Sequence, residues 1–332
     1  MSEREKKRVA VIGATGVVGQ TIAQVLAERG FPVGEYVPVA TGDRGERTVN
    51  GLGRTWTVCA IEEMDFGGVD ICFFSAGAAV SREMIPKALD RGCRVVDNTT
   101  AYRMDADVPL VVPEINSSEV TPDTWLVSCP NCAAINLVMT LAPILREVSI
   151  ERVVVTSLQS VSGAGKEAVA ELDAQVRSDL SGEEAKARVF AKPIAFNCLP
   201  KIGELGDSGD TVEEQKIIEE TRKILGKPSL GIVATAVRVP VRVGHALSVN
   251  VELSDELSLE DARGLWQESP GIEFDDRLPT PVDVAGRDTV IVGRLRRDVS
   301  RPHAISYWAV GDNLRKGAAT NSVQIAELWC SL

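Results

Sequence analysis

The stretch VSCPNCAAINL, residues 127–137, sets Cys129 and Cys132 on either side of Pro130 and Asn131. Thiols at this spacing suit three chemistries: half of a zinc site, a dithiol redox pair, or a single nucleophile. A zinc site needs a second ligand pair at compatible spacing. The other cysteines, at 59, 72, 93, 198 and 330, are isolated, and the two histidines, His245 and His303, stand far apart. No metal site is expected. Dithiol motifs of this type belong to small domains, just after an early strand, whereas this pair lies mid-chain. A nucleophile asks for one thiol at a helix N-terminus. Pro130 ends the preceding apolar run, Asn131 is a good N-cap, and Cys132 then falls in the first helical turn. Unpaired N–H groups and the helix dipole there favour a thiolate. Cys132 is the candidate nucleophile, Cys129 needs no chemical role, and Cys59, Cys72 and Cys93 read as packing residues.

The elements around this motif point to a nucleotide-binding unit ahead of it. RVAVIGATGVVGQTIAQVLAERG starts as a short apolar strand, turns through Gly13, Gly16 and Gly19, and continues as an amphipathic helix closed by Gly30. G-x-x-G-x-x-G between strand and helix is a variant of the dinucleotide fingerprint, in which helix N–H groups hold a pyrophosphate. EYVPVAT, DICFFSAG and RVVDNT read as further strands, and SREMIPKALDRG as a helix. The alternation predicts an open, mainly parallel sheet with helices on both faces, its ligands beyond the carboxyl ends of the strands. Gly77, Asn98 and Arg103 stand at such ends. The second strand is followed by Thr41, Asp43, Arg44 and Arg47, a setting that suits a 2′-phosphate and so NADP rather than NAD. After Cys132 the pattern shifts to long strands, IERVVVTSLQSV, GIVATAVRVPVRV and HALSVNVEL, with two helices between the first two of them. A second, α+β domain is expected there.

Composition bounds the function. The 332 residues carry a formal charge of -11 and include 25% charged and 44% apolar residues. An acidic chain is a poor match to nucleic acid or an anionic membrane, and no long apolar run reads as a membrane span. Seven scattered cysteines fit a reducing compartment, so the chain is expected to be cytoplasmic.

Eight segments in order carry a resemblance across nearly the whole chain: GATGVVG, FFSAG, VVDNTTAYRMDADVPLVVPEIN, CPNCAAIN, SLQSVSGAG, PIAFNCLPKIG, EEQKIIEETRKIL and DNLRKGAATNSVQIAE. Together they resemble bacterial aspartate-β-semialdehyde dehydrogenase. The resemblance implies a Rossmann-type NADP-binding domain over 1–130 plus 314–332. It also implies an α+β catalytic and dimerisation domain over 131–313, of the glyceraldehyde-3-phosphate-dehydrogenase-like kind, and a homodimer. The implied reaction is reversible reductive dephosphorylation of L-aspartyl 4-phosphate by NADPH, giving aspartate semialdehyde and phosphate through a cysteine thioester. By motif, Cys132 matches the nucleophile, Gln159 the substrate-orienting glutamine and His245 the acid/base histidine. Arg238, seven residues before His245, matches the carboxylate-binding arginine, with Arg242 as competitor on the same expected strand. Arg103 and Lys216 match phosphate-site cations, Glu213 an acid beside the substrate amine, and Asn131 a substrate-side residue. Gly13, Thr15, Gly16, Val17, Val18, Thr41 and Arg44 match the dinucleotide site, with Ser162 and Gly163 at its nicotinamide end and Gln324 from the last helix. His303, in DVSRPHA, reads as structural or surface. The chain departs from the family pattern at Ala133 and Ala134, at Asp43, and in a short 176–195 region. Competing readings are the related reductase of N-acetyl-γ-glutamyl phosphate and a catalytically silent binding paralogue.

Overall fold

The computed structural model describes residues 5–42 and 47–332. The chain divides into two compact units, Met1–Pro130 with Ala318–Leu332, and Asn131–Gly317.

In the first unit, β1 (Lys7–Ile12) feeds α1 (Val17–Glu28), and β2 (Val33–Ala40) follows. A hairpin, β3 (Thr48–Gly51) and β4 (Arg54–Thr57), precedes the short β5 (Cys59–Ala60). Then come β6 (Ile71–Phe74), α2 (Ala78–Leu89), β7 (Arg94–Asp97), the one-turn α3 (Pro113–Asn116) and β8 (Leu126–Ser128). The sheet order is β5-β2-β1-β6-β7-β8 and every pairing is parallel. Val9–Ile12 and Ile71–Phe74 are buried without interruption, the run expected of central parallel strands covered on both faces. Cys72 and Cys93 lie in this core with Phe66, Phe74 and Ile85, as packing thiols. The hairpin β3–β4 was not foreseen; its strands show one buried residue, Val49, too little to produce a readable alternation.

The second unit opens with α4 (Cys132–Glu147). Ala133 through Ile144 are all buried, Asn136 and Thr140 being the polar residues among them, so this helix runs through a core. Its sheet contains β9 (Ile150–Gln159), β10 (Gly231–Arg238), β11 (His245–Leu253), β12 (Ile272–Phe274), β13 (Val290–Arg297) and β14 (Ala304–Gly311), in the order β10-β9-β11-β14-β13-β12. Pairing is mixed: β10–β9 and β12–β13 are parallel, the rest antiparallel. The remaining helices are α5 (Lys166–Leu180), α6 (Val212–Leu225), α7 (Leu259–Gln267) and the short α8 (Pro281–Val284). The last helix, α9 (Thr320–Trp329), belongs to the first unit.

One expected strand is shorter than its sequence suggested. GIVATAVRVPVRV pairs in register only as far as Arg238; just beyond, the Val241 amide turns back to the Val239 carbonyl at 2.8 Å, across Pro240. Arg242 therefore does not share a strand face with Arg238. It is exposed and pairs with Asp173 at 2.8 Å.

Among the described residues, no helix is long and apolar enough to cross a membrane, and no cluster of three or more metal-ligating side chains occurs.

Candidate active site

Three adjacent strand ends carry three candidate residues. Gln159 closes β9 and is the register partner of Arg238, which closes β10. Ala246 pairs with Leu158, so His245, at the start of β11, lies level with Gln159. All three are buried. Two loops leaving the sheet hold each other: the Val161 and Ser162 amides donate to the carbonyls of Val241 and Arg242, at 2.9 and 3.1 Å, and the Val239 amide donates to Gln159.

The N-terminus of α4 supplies the thiol. Asn131 caps the helix through Oδ1, which accepts from the amides of Ala133 and Ala134 at 2.9 and 3.2 Å. Its Nδ2 donates to Glu213 Oε1 at 2.9 Å, and its own amide donates to Glu220 Oε2 at 2.5 Å. Glu213 and Glu220 are seven residues apart on α6, hence on one helix face. Two carboxylates of one helix thus fix the residue before Cys132. On the other side, a Cβ on Gly317 would meet Cys132 Cβ at 2.9 Å, so only glycine lets the chain pass there.

Cys132 Sγ lies 3.3 Å from His245 Nε2. On the opposite side of the ring, Nδ1 accepts the Ser160 amide at 3.1 Å, and Ser160 Oγ stands at 3.1 Å as well. A backbone N–H can only donate, so Nδ1 presents a lone pair and the ring proton sits on Nε2, facing sulfur. Complete burial, aided by the Arg238 guanidinium and opposed by Glu213 and the Gly244 backbone, pushes the imidazole down to about 3. Burial also pulls Arg238 below its ordinary value, offset by the Cys132 and Glu213 charges. Its Nη1 donates to the Ser160 carbonyl at 2.8 Å. Gly163 admits both groups: a Cβ there would lie 2.9 Å from Arg238 Nη1 and 3.5 Å from the His245 ring.

Glu213 joins the candidates on α6 to those on the sheet. It accepts from Asn131, from Gln159 Nε2 at 3.0 Å and from Lys216 Nζ at 3.3 Å. Burial alone would raise its pKa, but Lys216 and the hydrogen bonds from Gln159 and Asn131 outweigh it and hold the carboxyl below the usual range. The site is therefore a half-buried thiol at a positive helix end, a neutral N–H donor beside it, and a guanidinium and a carboxylate on adjacent elements. That arrangement can perform acyl transfer through sulfur.

In the first unit, Gly13 has φ +95° and a Cβ on it would meet Ser75 atoms at 2.8–2.9 Å. Gly19 is closer still, at 2.3 Å from the Gly13 carbonyl. The α1 N-terminus at Gly16 has no side-chain cap; the Gly16 amide donates to the Gly13 carbonyl at 3.0 Å, and Thr15, Val17 and Val18 flank a helix end suited to an anion. This turn fits a dinucleotide pyrophosphate. Thr41 is exposed at the end of β2 and its carbonyl accepts from Arg47 Nη1 at 3.3 Å; Arg44, with Asp43 beside it, lies outside the described residues. Arg103 is buried and donates to the carbonyls of Cys129 and Asn98, both at 2.9 Å. Gln324 Nε2 donates to Glu114 at 2.9 Å.

Family models match most of both units: the semialdehyde dehydrogenase NAD binding domain over residues 8–122 and the semialdehyde dehydrogenase dimerisation domain over 141–316. An aspartate-semialdehyde dehydrogenase of Legionella pneumophila is 46% identical over 328 residues, covering 96% of this chain and 94% of its own. The chain belongs to the aspartate-semialdehyde dehydrogenase family. Aspartate semialdehyde dehydrogenase II of Vibrio cholerae, solved in complex with ASA, superimposes with a TM-score of 0.95 at 44% identity, covering 98% of each chain. An enzyme of Aquifex aeolicus in the same family is 44% identical over 330 residues, covering 97% of both.

Besides Glu220, two residues of this family member's site carry no signal in the sequence, Ser160 and Asn313. Asn313 Oδ1 accepts from the Gly244 amide at 2.9 Å and from Ser160 Oγ at 3.0 Å, while its Nδ2 donates to Ser162 Oγ at 2.9 Å. Both lie inside the quoted motifs SLQSVSGAG and DNLRKGAA. Only the fold reveals that they surround the far side of His245.

Proposed function

We propose that this chain is an oxidoreductase that interconverts L-aspartyl 4-phosphate and L-aspartate 4-semialdehyde, with NADP as cofactor and phosphate as product or co-substrate. The reaction serves biosynthesis of lysine, with diaminopimelate on the way, and of threonine and methionine. The observation that carries the reading is the Cys132 thiol, held at the first turn of α4 and 3.3 Å from His245 Nε2. The thiolate attacks the acyl phosphate, phosphate leaves with a proton from solvent, and a thioester on Cys132 remains. The bound nicotinamide supplies or accepts hydride at that carbon. His245, the acid/base residue in this reading, meets the oxygen of the tetrahedral intermediate through Nε2, and collapse returns the aldehyde and the thiolate.

In this reading Arg238 receives the substrate carboxylate, since arginine suits bidentate recognition. Gln159 and Glu213 orient the substrate amine end, with Asn131 fixing both to the nucleophile's helix, and Arg103 and Lys216 serve the phosphate. The unit 1–130 with 314–332 holds the dinucleotide at Gly13, Thr15, Gly16, Val17, Val18, Thr41 and Arg44, with Gln324 assisting. Ser162 and Gly163 meet its nicotinamide end. NADP over NAD is favoured by Arg47, which precedes β3 and whose guanidinium reaches the Thr41 carbonyl just past β2, where an acid would suit NAD. The unit 131–313 is catalytic and carries a homodimer contact, consistent with the dimerisation-domain match. A cytoplasmic setting suits its scattered cysteines.

Phosphate-dependent reduction of NADP tests the reading, with aspartate semialdehyde and N-acetylglutamate semialdehyde compared as substrates. Preference for the first by at least a hundredfold in kcat/KM is expected. Preference for the second would replace the substrate, and no turnover of either by folded protein would sink the activity.

A further inference from the structure

The arginine assigned to the substrate carboxylate closes an outer strand. Among the described residues β10 is an edge of its sheet, bordered by β9, so the amides on its other side need partners from outside the sheet. At Arg238 that partner is Leu199: the amide of each donates to the carbonyl of the other at 2.9 Å. Two residues earlier, where the chain again faces outward, the Ala236 amide donates to Glu214 Oε1 at 2.8 Å. A side chain of α6 thus takes the place of a neighbouring strand.

Glu214 is buried and does two things at once. Its Oε2 accepts the Thr211 amide at 2.6 Å, and its own amide donates to Thr211 Oγ1 at 3.3 Å, closing the capping box that starts α6. Its Oε1 reaches across to β10. The cap alone does not need that reach: in α8 the shorter Asp283 closes the same box, Oδ2 accepting the Thr280 amide at 2.7 Å. Glu213, the preceding residue, leaves the helix about 100° away and accepts from Gln159 at the end of β9. The first turn of α6 therefore straddles two strand ends, with one carboxylate on each. Gln159 and Arg238 are register partners, so the contacts close a circuit from Glu213 through β9 and β10 back to Glu214.

We propose that Glu214 is a positioning residue for substrate selection: by tying the start of α6 to the edge of β10, it sets the spacing between Glu213, which meets the substrate amine, and Arg238, which meets the carboxylate. This deepens the activity proposed above and rests on it. A substrate carrying both groups must satisfy two charges whose separation the protein fixes in advance. One carrying a carboxylate and no amine needs Arg238 alone and shifts with it. The spacing therefore selects an α-amino acid over a plain carboxylate of the same length. The nucleophile is held separately, by the Asn131 cap and by Glu220, so loss of the tie acts on binding rather than on the chemical step.

Two substitutions separate the tie from the cap. Glu214→Asp keeps an acid that can cap Thr211, as Asp283 does in α8, but is a methylene short of Ala236. Thr211→Ala removes the capping hydroxyl and leaves the bond to Ala236 in place. Phosphate-dependent NADP reduction is measured with aspartate semialdehyde and with succinate semialdehyde, which has the same chain and no amine. In Glu214→Asp, KM for aspartate semialdehyde should rise about tenfold with kcat within about threefold of native, and the preference for it over succinate semialdehyde should fall about tenfold. Thr211→Ala should lower Tm and leave that preference within about twofold. An unchanged preference in Glu214→Asp, or the same fall in both variants, overturns the proposal. Hydrogen exchange of the β10 peptide, followed by mass spectrometry, reads the tie without turnover: it should speed up in Glu214→Asp and not in Thr211→Ala. In the native protein the Ala236 amide should be protected, and free exchange there overturns the proposal whether or not a variant folds. If native enzyme turns over neither aldehyde, the activity fails and the selection with it, while exchange still shows whether Glu214 holds β10.

Discussion

Replacing Asn131 with alanine removes two of its three tethers at once. The α4 cap, accepted by Oδ1 from Ala133 and Ala134, is worth about 1 kcal/mol. The Nδ2 bond to Glu213 ends on a buried carboxylate, so its loss costs about 1.5–3 kcal/mol. The third tether, from the backbone amide to Glu220, survives. Together the change should destabilise the second unit by about 2–4 kcal/mol. For a unit of this size that is a fall of roughly 5–15 °C in Tm. Asn131→Ser keeps a capping oxygen but is too short to reach Glu213, so it should recover about 1 kcal/mol of the loss. The cap also holds the first turn on which Cys132 rides. Its removal should raise the pH midpoint of Cys132 alkylation by iodoacetamide by about half a unit. Thermal unfolding and alkylation rates against pH, both measured on Cys129→Ser backgrounds, read these effects. Unchanged stability and an unchanged alkylation midpoint in Asn131→Ala would refute the clamp.

Further expectations follow from the same geometry. Arg238→Met should raise KM for aspartate semialdehyde by about a hundredfold or more, through loss of a charge-assisted carboxylate contact, and slow Cys132 alkylation; a wild-type KM would remove Arg238 from the substrate. Gly13→Ala forces a side chain onto φ +95° and against the Ser75 backbone. It should abolish NADP binding by fluorescence titration and cost stability, whereas normal binding would show that the turn is not the cofactor cradle. His245 is ordinarily half-protonated near 6.5 and is pushed down to about 3 in the fold. The unfolded chain therefore binds the extra proton first, and the stability it represents, complete above about pH 6.5, drains away as pH falls toward 3. The slope approaches about 1.4 kcal/mol per unit. Urea midpoints of native protein and His245→Gln between pH 6.5 and 5 should diverge accordingly, and parallel curves would contradict a buried neutral ring.

The sheet of the first unit was legible because its strands are continuous apolar runs, Val9–Ile12 and Ile71–Phe74, separated by glycine turns and amphipathic helices. The hairpin at 48–57 was not, since its strands hang outside the core and bury little. Cys132 was legible from local rules alone: proline, cap, first turn. The end of β10 departs from the sequence pattern because alternation continues through Val239 and Val241, whereas the Val241 amide turns back to the Val239 carbonyl across Pro240 instead of continuing the ladder. Arg242 carries the same charge as Arg238 but points to Asp173 instead. Ser160, Asn313 and Glu220 were beyond reach of the sequence for another reason. Their roles arise from backbone amides and carbonyls brought together by the fold, and a serine, an asparagine or a helical glutamate has no pattern that announces such a contact. The order in which Glu213 gathers Asn131, Gln159 and Lys216 is likewise tertiary, though each residue type was foreseen.

The central claim is that Cys132 alone carries the acyl group. Mixing the enzyme with L-aspartyl 4-phosphate in the absence of any nicotinamide cofactor, quenching in acid and mapping the peptides by mass spectrometry tests it directly. An aspartyl thioester on the Cys132 peptide, present in Cys129→Ser and absent in Cys132→Ser, is the predicted result. Acylation at Cys129, or none on either residue in enzyme that turns over with NADPH, would contradict it.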